Sequence, residues 1–309
     1  MTSESKYIKS LFENGKVEIR AFINDKRWIG IFDDSQSFKY CAKWAEQKGA
    51  NVYCTINPTC LPVTGRLRPF RNGTRNNDIL RIVRLPFDFD PERPLGEAAT
   101  PDQVAEALAS SEKCVGFLSE RGWPEPIRAM SGNGYHLQYA VGLENDFNTK
   151  NMLNGIYAGL KQRFTSQTVK FDSTVKSPGQ IMRLYGTTNQ KSGRRATVTM
   201  PDELVQVPFD SIADLAGEIS PQIPKKTEEQ KKADKRVAGL DVVAMFKKLG
   251  LYKRFIVEGK HAVICPWQIR HSDKDHLSKT DTVIWENPST FYCSHNSCSG
   301  KTLAAVAAN

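Results

Sequence analysis

Ile79-Leu-Arg-Ile-Val-Arg-Leu-Pro-Phe-Asp-Phe-Asp90 is the stretch on which the fold turns. Its apolar and β-branched residues predict a strand that runs into a loop at Pro91. Residues two apart on a strand share a face, with Cα atoms about 6.5 Å apart. Asp88 and Asp90 therefore point one way, and Phe87 and Phe89 point the other way, into a core. Two carboxylates so placed can hold one divalent cation between them, or two side by side. Hard oxygen ligands suit Mg²⁺ or Mn²⁺. A pair of such ions about 3.5–4 Å apart activates an attacking oxygen and steadies a leaving phosphate. By itself the pair also reads as an acidic turn before a proline.

Working outward, strands alternate with helices on both sides. Upstream, Val17–Ile23 and Arg27–Phe32 form a hairpin about Asn24-Asp25, followed by a helix over Phe38–Gln47 and a strand over Asn51–Asn57. Downstream, Thr100 caps a helix that has Pro101 at its first position and ends near Arg121. Strands over Ile127–Met130 and Tyr135–Val141 flank a glycine turn, and a helix follows over Asn148–Gln167. Short strands are predicted over Val169–Phe171, Gln180–Leu184 and Ala196–Met200. The pattern is that of a mixed α/β (α+β) domain.

Three further patterns could serve the same chemistry. Ser131-Gly-Asn-Gly-Tyr-His136 joins two strands. Glycines such as Gly134 let the backbone approach a phosphate, and His136 could donate to a triphosphate oxygen. A hairpin turn beside an ordinary histidine fits equally. Lys170-Phe-Asp172 brings a third carboxylate that could complete a metal cluster. Gln180-Ile-Met-Arg183 and the following loop to Lys191 offer a planar fork and a point charge for a triphosphate. The stretch from Arg66 to Asn77, with Arg66, Arg68, Arg71 and Arg75, is either a solvated loop or a mobile arm that binds phosphates.

The 309 residues carry 43 Lys and Arg against 34 Asp and Glu, a net charge of +9 that favours polyanionic partners. No apolar run approaches the ~20 residues of a membrane span. The polar N-terminus has no signal core, so a cytoplasmic location away from membranes is expected. The length suits one large domain or two smaller ones. Composition shifts after Ser220, where Pro221, Pro224 and the charged run to Arg236 read as a linker. The expected division is 1–220 catalytic domain, 221–238 linker, and 239–309 a short helix over Asp241–Leu249 plus a cysteine-bearing module.

Seven cysteines, an odd number, argue against a disulfide framework. Cys265, His271, Cys293 and Cys298 supply the four N/S ligands of a Zn²⁺ site as two close pairs, with His295 an alternative ligand. So small a segment would lack a core without a metal. Gly300-Lys-Thr302 is not a phosphate loop, because His295 stands where its first glycine belongs. The chain therefore carries no evident helicase.

Asp-x-Asp at a strand end, Ser-Gly-x-Gly-x-His, a helix, apolar-Asp, then Arg before Gly: in this order the chain resembles the archaeo-eukaryotic primase superfamily. It is most similar to the primase-polymerases of phages, plasmids and other mobile elements. The stretches Pro86–Pro94, Leu118–Pro124, Ser131–Leu137 and Ile181–Thr187 carry the resemblance, which spans roughly residues 15 to 205. It implies an RRM-like palm beside a second α/β subdomain. It implies Asp88, Asp90 and Asp172 as catalytic, metal-binding carboxylates, Ser131 and His136 as nucleotide contacts, and Arg183 with Lys191 near the triphosphate. The cysteine module, with Cys-Pro-Trp and Phe-x-Cys-x-His-x-x-Cys, resembles the zinc segment attached to phage-type primases.

The implied activity is that of a DNA primase-polymerase. A 3′-hydroxyl attacks the α-phosphate of an NTP or dNTP on a single-stranded DNA template, and pyrophosphate leaves. A helicase would be a separate protein, or part of a longer chain from which it was removed. Two other classes remain open. A non-catalytic nucleic-acid-binding replication protein would not need Asp88, Asp90, Asp172 and His136 together. A replication-initiator or relaxase nuclease wants a His-apolar-His pair, which His136, His261, His271, His276 and His295 do not form.

Overall fold

The computed structural model describes residues 2–24, 26–70, 72–94, 96–221, 237, 240–270, 282–287, 289–294, 298 and 301–307. The chain forms two compact units, Met1–Gln222 and Ile223–Asn309. The first holds two five-stranded antiparallel sheets and the second a four-stranded one. The chain is thus of mixed α/β class, with helices packed on antiparallel sheets.

In the first sheet of unit one, β1 (Val17–Ile23), β2 (Lys26–Phe32), β3 (Asn51–Thr55), the two-residue β4 (Arg68–Pro69) and β9 (Ile181–Arg183) lie in the order β4-β2-β1-β3-β9. In the second, β5 (Arg81–Pro91), β6 (Ile127–Met130), β7 (Tyr135–Glu144), β8 (Val169–Phe171) and β10 (Thr197–Thr199) lie in the order β10-β6-β7-β5-β8. The hairpin of β1 and β2 turns through Asn24, which takes a positive φ of 46°. Asn tolerates that conformation better than most residues.

Helices α1 (Ser3–Phe12) and α2 (Ser35–Gln47) cover the first sheet. Tyr7 and Leu11, Phe38 and Ala45 join Ile19, Ala21, Val52 and Cys54 in one apolar core. Helices α3 (Pro101–Ser119), α4 (Phe147–Phe164) and α5 (Phe209–Ile219) cover the second sheet, where Leu118, Ile156, Leu160 and Ile212 pack on Phe87, Phe89, Leu137 and Phe171. The helix starts obey capping chemistry. Thr100 and Gln103 form a reciprocal capping box ahead of α3, and Asp34 and Asp146 cap α2 and α4.

Helix α2 starts three residues earlier than its apolar spacing predicts, because Asp34 accepts from the backbone N–H groups of Gln36 and Ser37. Helix α4 stops at Phe164, short of the predicted Gln167, where extended Thr165 turns to accept from the N–H of Phe171. Helices α1 and α5 are absent from the sequence reading. No helix among the described residues is long and apolar enough to cross a membrane.

The second unit comprises α6 (Val242–Lys248), a meander of β11 (Tyr252–Val257), β12 (Lys260–Val263), β13 (Thr282–Trp285) and β14 (Thr290–Cys293), and a closing helix α7 (Leu303–Ala307). Its core gathers Phe246, Val263, Ile284 and Phe291 around Cys265 and Cys298.

Candidate active site

Strand β5 buries alternate residues, so Phe87 and Phe89 are fully enclosed while Asp88 and Asp90 face a cleft. Phe87 packs against Trp123, Tyr139, Tyr157 and Phe171, which holds the register of the acidic face. Asp88 lies directly across from His136 on β7. The chain leaving β8 is stitched to the same place, since the Asp172 N–H donates to the Asp88 carbonyl at 2.9 Å. Three adjacent strands thus deliver three carboxylates and an imidazole to one cleft.

The electrostatics are those of an under-neutralised acidic site. Burial and the neighbouring Asp88 charge push the Asp90 carboxyl up to about 6, against the pull of Arg93, whose Nη1 stands 3.8 Å away. The Asp90 side chain keeps 42% exposure, so solvent screens part of that repulsion. Asp88 Oδ1 is buried and accepts no hydrogen bond, while His136 Nε2 stands 3.4 Å from it. An orphaned carboxylate oxygen beside a second carboxylate fits a divalent cation with oxygen ligands.

Asp172 is differently engaged, since its oxygens accept from the N–H and hydroxyl of Thr174 at 2.9 Å each. Asp88, Asp90 and Asp172 line one cleft without meeting at a single point. Among the described residues, only a cysteine trio has its potential metal-ligand atoms mutually within 4.8 Å.

Ser131 closes the glycine turn. Its hydroxyl donates to the Gly134 carbonyl and accepts from the Gly134 N–H, both at 3.1 Å. This occupies the hydroxyl with local structure, although Ser131 does border the cleft. Gly134 abuts β5 so closely that a Cβ there would lie 2.4 Å from the Phe89 carbonyl and 2.9 Å from Asp90 Oδ1. Only glycine allows this approach.

The opposite wall comes from the other sheet. Arg183 on β9 is 6% exposed. It donates to Asn51 Oδ1 at 2.9 Å and to the Tyr53 hydroxyl at 3.1 Å, with its guanidinium 4.5 Å from the Tyr53 ring centroid. These partners are neutral, and burial lowers the Arg183 pKa. The guanidinium thus brings a cation to the cleft with no carboxylate among these partners. Lys191 is exposed on the same cleft. The space enclosed is about 340 Å³, bordered by Asp88, Asp90, Ser131, His136, Asp172, Arg183 and Lys191 together. That is enough for a nucleotide-sized ligand.

The basic stretch is pinned. Arg68 pairs with Ile29 on the sheet edge, and the Thr74 N–H is held by the buried Glu18 carboxylate. β4 and Glu18 thus tether the stretch at two points, Arg68–Pro69 and Thr74. Arg66, Arg68 and Arg75 are exposed but do not border the cleft, and Arg71 lies outside the described residues. The Arg75–Asn76 backbone does rest on Gly179, next to cleft-lining Gln180.

In the second unit, Cys265, Cys293 and Cys298 place their sulfurs within 4.8 Å of one another, with Cys265 and Cys298 Sγ 3.5 Å apart. Sulfurs at the corners of a tetrahedron around Zn²⁺, each 2.3 Å from it, would stand about 3.8 Å apart. Burial and the two neighbouring cysteines raise the Cys265 pKa. Crowded thiols of this kind become thiolates only around a cation. The donor set fits zinc. His271 and His295, the two candidates for the fourth ligand, lie outside the described residues.

The sequence reading missed several residues. Asn189 clamps the turn to the Lys191 loop, donating to the Ser131 carbonyl at 3.1 Å and accepting from the Lys191 N–H at 3.1 Å. Asn133 receives the Ala99 N–H at 3.0 Å. An asparagine between two glycines was a usable signal for the second. Asn51, Tyr53 and Arg93 carried none, because only folding brings them to the cleft.

No protein-family model matches the chain, and no curated protein matches it by sequence. Among solved structures, it is similar to the AEP domain of the cyanophage S-2L primase-polymerase, at 16% identity over 69% of this chain and 94% of that one, with a TM-score of 0.41. It is similar also to the catalytic domain of the primase RepB′ in complex with initiator DNA, at 11% identity over 70% and 94%, TM-score 0.40. A third is the polymerase domain of Mycobacterium tuberculosis Ligase D in complex with DNA, at 15% identity over 71% and 89%, TM-score 0.38.

Proposed function

We propose that this chain is a DNA primase-polymerase, a nucleotidyltransferase that joins NTPs or dNTPs to a 3′-hydroxyl on a single-stranded DNA template in the replication of a mobile element. The observation that carries this reading is the polarity of the cleft. Asp88 and Asp90, one with an orphaned buried oxygen, face His136 on one wall, and Arg183 and Lys191 face them from the other. A nucleoside triphosphate has matching halves, an α-phosphate for a metal-binding pair and terminal phosphates for cations and an imidazole N–H.

Asp88, Asp90 and, after it exchanges its Thr174 bonds, Asp172 would hold Mg²⁺ or Mn²⁺. When bound, the metal neutralises charge at the α-phosphate and favours the attacking oxygen. Arg183, braced by Asn51 and Tyr53, would orient terminal phosphate oxygens with the N–H groups those two bonds leave over. Lys191 adds a movable point charge. Gly134 sets the turn beside Asp90, and β7 carries His136 to within 3.4 Å of Asp88. Cys265, Cys293 and Cys298, with a histidine as fourth ligand, would hold a structural zinc. The helicase that such replication needs would be a separate protein or part of a longer chain.

The test is incorporation of labelled nucleotide on primed and unprimed single-stranded DNA with Mg²⁺ or Mn²⁺. Asp88→Ala combined with Asp90→Ala is expected to lower synthesis roughly 100-fold or more. Undiminished synthesis by the double variant would overturn the assignment.

A further inference from the structure

Behind His136 runs a chain of buried polar groups that the reaction outlined above does not use. Arg84 lies on the same face of β5 as Asp88 and Asp90, but deeper, and is 3% exposed. Gln138 lies on the same face of β7 as His136, and Gln138 and Tyr185 are fully enclosed. Arg84 Nη1 donates to Gln138 Oε1 at 3.3 Å, and its Nη2 donates to the Ser10 hydroxyl at 2.7 Å. Gln138 Nε2 donates to the Tyr185 hydroxyl at 2.9 Å and to the Tyr7 hydroxyl at 3.2 Å. The Tyr185 hydroxyl stands 2.9 Å from His136 Nδ1.

The Tyr7 hydroxyl also donates back to Gln138 Oε1 at 3.4 Å, but each link from Arg84 to Tyr185 has one direction. Arginine has donors and no acceptor, so a guanidinium facing an amide demands its oxygen. Arg84 therefore turns Gln138 with its NH₂ toward Tyr185. The Tyr185 oxygen, already accepting from that NH₂, has one hydrogen left to give. The neighbour able to take it is His136 Nδ1, at 2.9 Å. If Nδ1 carried a hydrogen instead, the Tyr185 oxygen would have to accept that one too, and the buried phenol hydrogen would be left with no acceptor among these groups. Burial raises the Tyr185 and Tyr7 pKa, so both remain hydroxyls and donors. With Nδ1 accepting, the ring hydrogen sits on Nε2, which looks into the cleft beside Asp88.

We infer that Arg84, Gln138 and Tyr185 are positioning residues that lock His136 with its Nε2–H aimed into the cleft, as a ready donor to the triphosphate. The donor's target rests on the nucleotide reading above, whereas the lock rests on the hydrogen bonds alone. A histidine whose hydrogen could move to Nδ1 would present a lone pair to phosphate oxygens and repel them. The relay removes that state before substrate arrives.

The experiment is long-range ¹H–¹⁵N NMR of the full chain labelled at histidine, with His136 assigned by His136→Gln. Wild type is expected to show the Nε2–H tautomer. Tyr185→Phe and Gln138→Glu are each expected to lose that preference, the second because a carboxylate takes the phenol hydrogen for itself. Arg84→Lys is expected to keep it, since an ammonium still donates to Gln138 Oε1. In the incorporation assay, Tyr185→Phe is expected to raise KM for dNTP roughly tenfold with a smaller change in kcat, the signature of lost binding orientation. A wild-type His136 with its hydrogen on Nδ1 would overturn the lock even if every variant failed to fold. So would a Tyr185→Phe protein with tautomer and KM unchanged. A correct tautomer that shifts in the variants, in a protein that binds no dNTP, would support the lock and overturn the nucleotide reading instead.

Discussion

Asp88 and Asp90 sit two residues apart on one strand, yet folding treats them differently. Asp88 is the more enclosed and keeps an oxygen without a hydrogen bond, while Asp90 carries the raised pKa of about 6. A folded-state pKa above the ordinary carboxylate value means that the charged form opposes folding. Its protonated form stabilises the native state at pH 4, and that contribution disappears as pH rises through about 6. In chelator, the melting temperature of wild type should therefore fall between pH 4 and 7 relative to Asp90→Asn. Mn²⁺ should remove the difference near neutrality. Thermal scans across pH check this, and parallel curves for the two proteins in chelator would refute it. Gly134 has an equally local role. Gly134→Ala should cost about 1–3 kcal/mol, as overpacking does, and push the turn off Asp90. Denaturant titration measures the first effect and nucleotide incorporation the second.

At the scale of elements, β5 links core and site. Its alternation was legible because period-two patterning follows directly from backbone geometry, and Phe87 and Phe89 are enclosed as that pattern requires. Phe87→Ala should destabilise the first unit by about 3–5 kcal/mol, because it empties the centre of an aromatic cluster formed with Trp123, Tyr139, Tyr157 and Phe171. Urea unfolding checks the magnitude. Helix α3 was legible at both ends through Thr100, Pro101 and Gly122-Trp-Pro. Helix α5 was not, because its start has Pro208 in place of a side-chain cap. Its signal is instead tertiary, as Gly159 on α4 leaves room for the Ile219 carbonyl, which would lie 2.2 Å from a Cβ there. Helix α1 was missed for a related reason, since its Tyr7 and Ser10 face a polar network that no local pattern announces.

For the molecule as a whole, charge and metal make separate predictions. With a net charge of +9, binding to single-stranded DNA should weaken linearly in log–log form as salt rises. Replacing Arg66 and Arg75 together by alanine should flatten that slope by about 1.4, at ~0.7 per lost phosphate contact on a single strand. Fluorescence anisotropy at several salt concentrations measures it, and a salt-independent affinity would rule it out. The second unit should carry one zinc per chain by elemental analysis. A strong chelator should abolish its cooperative unfolding transition while the first unit's transition persists. Two unchanged transitions would remove the zinc site.

By itself the sequence determined the faces of β5, the positions of α2, α3, α4 and α6, and the acidic and imidazole groups of the cleft, because these follow from periodicity, caps and side-chain type within a few residues. The order of its motifs was also readable along the chain. What only the tertiary structure decided is partnership. Arg183 meets Asn51 and Tyr53 across some 130 residues, and Arg84, Gln138 and Tyr185 line up behind His136 from three separate segments. Hydrogen-bond direction and desolvation depend on which atoms lie within about 3 Å, and contacts between remote segments leave no periodic trace in the chain.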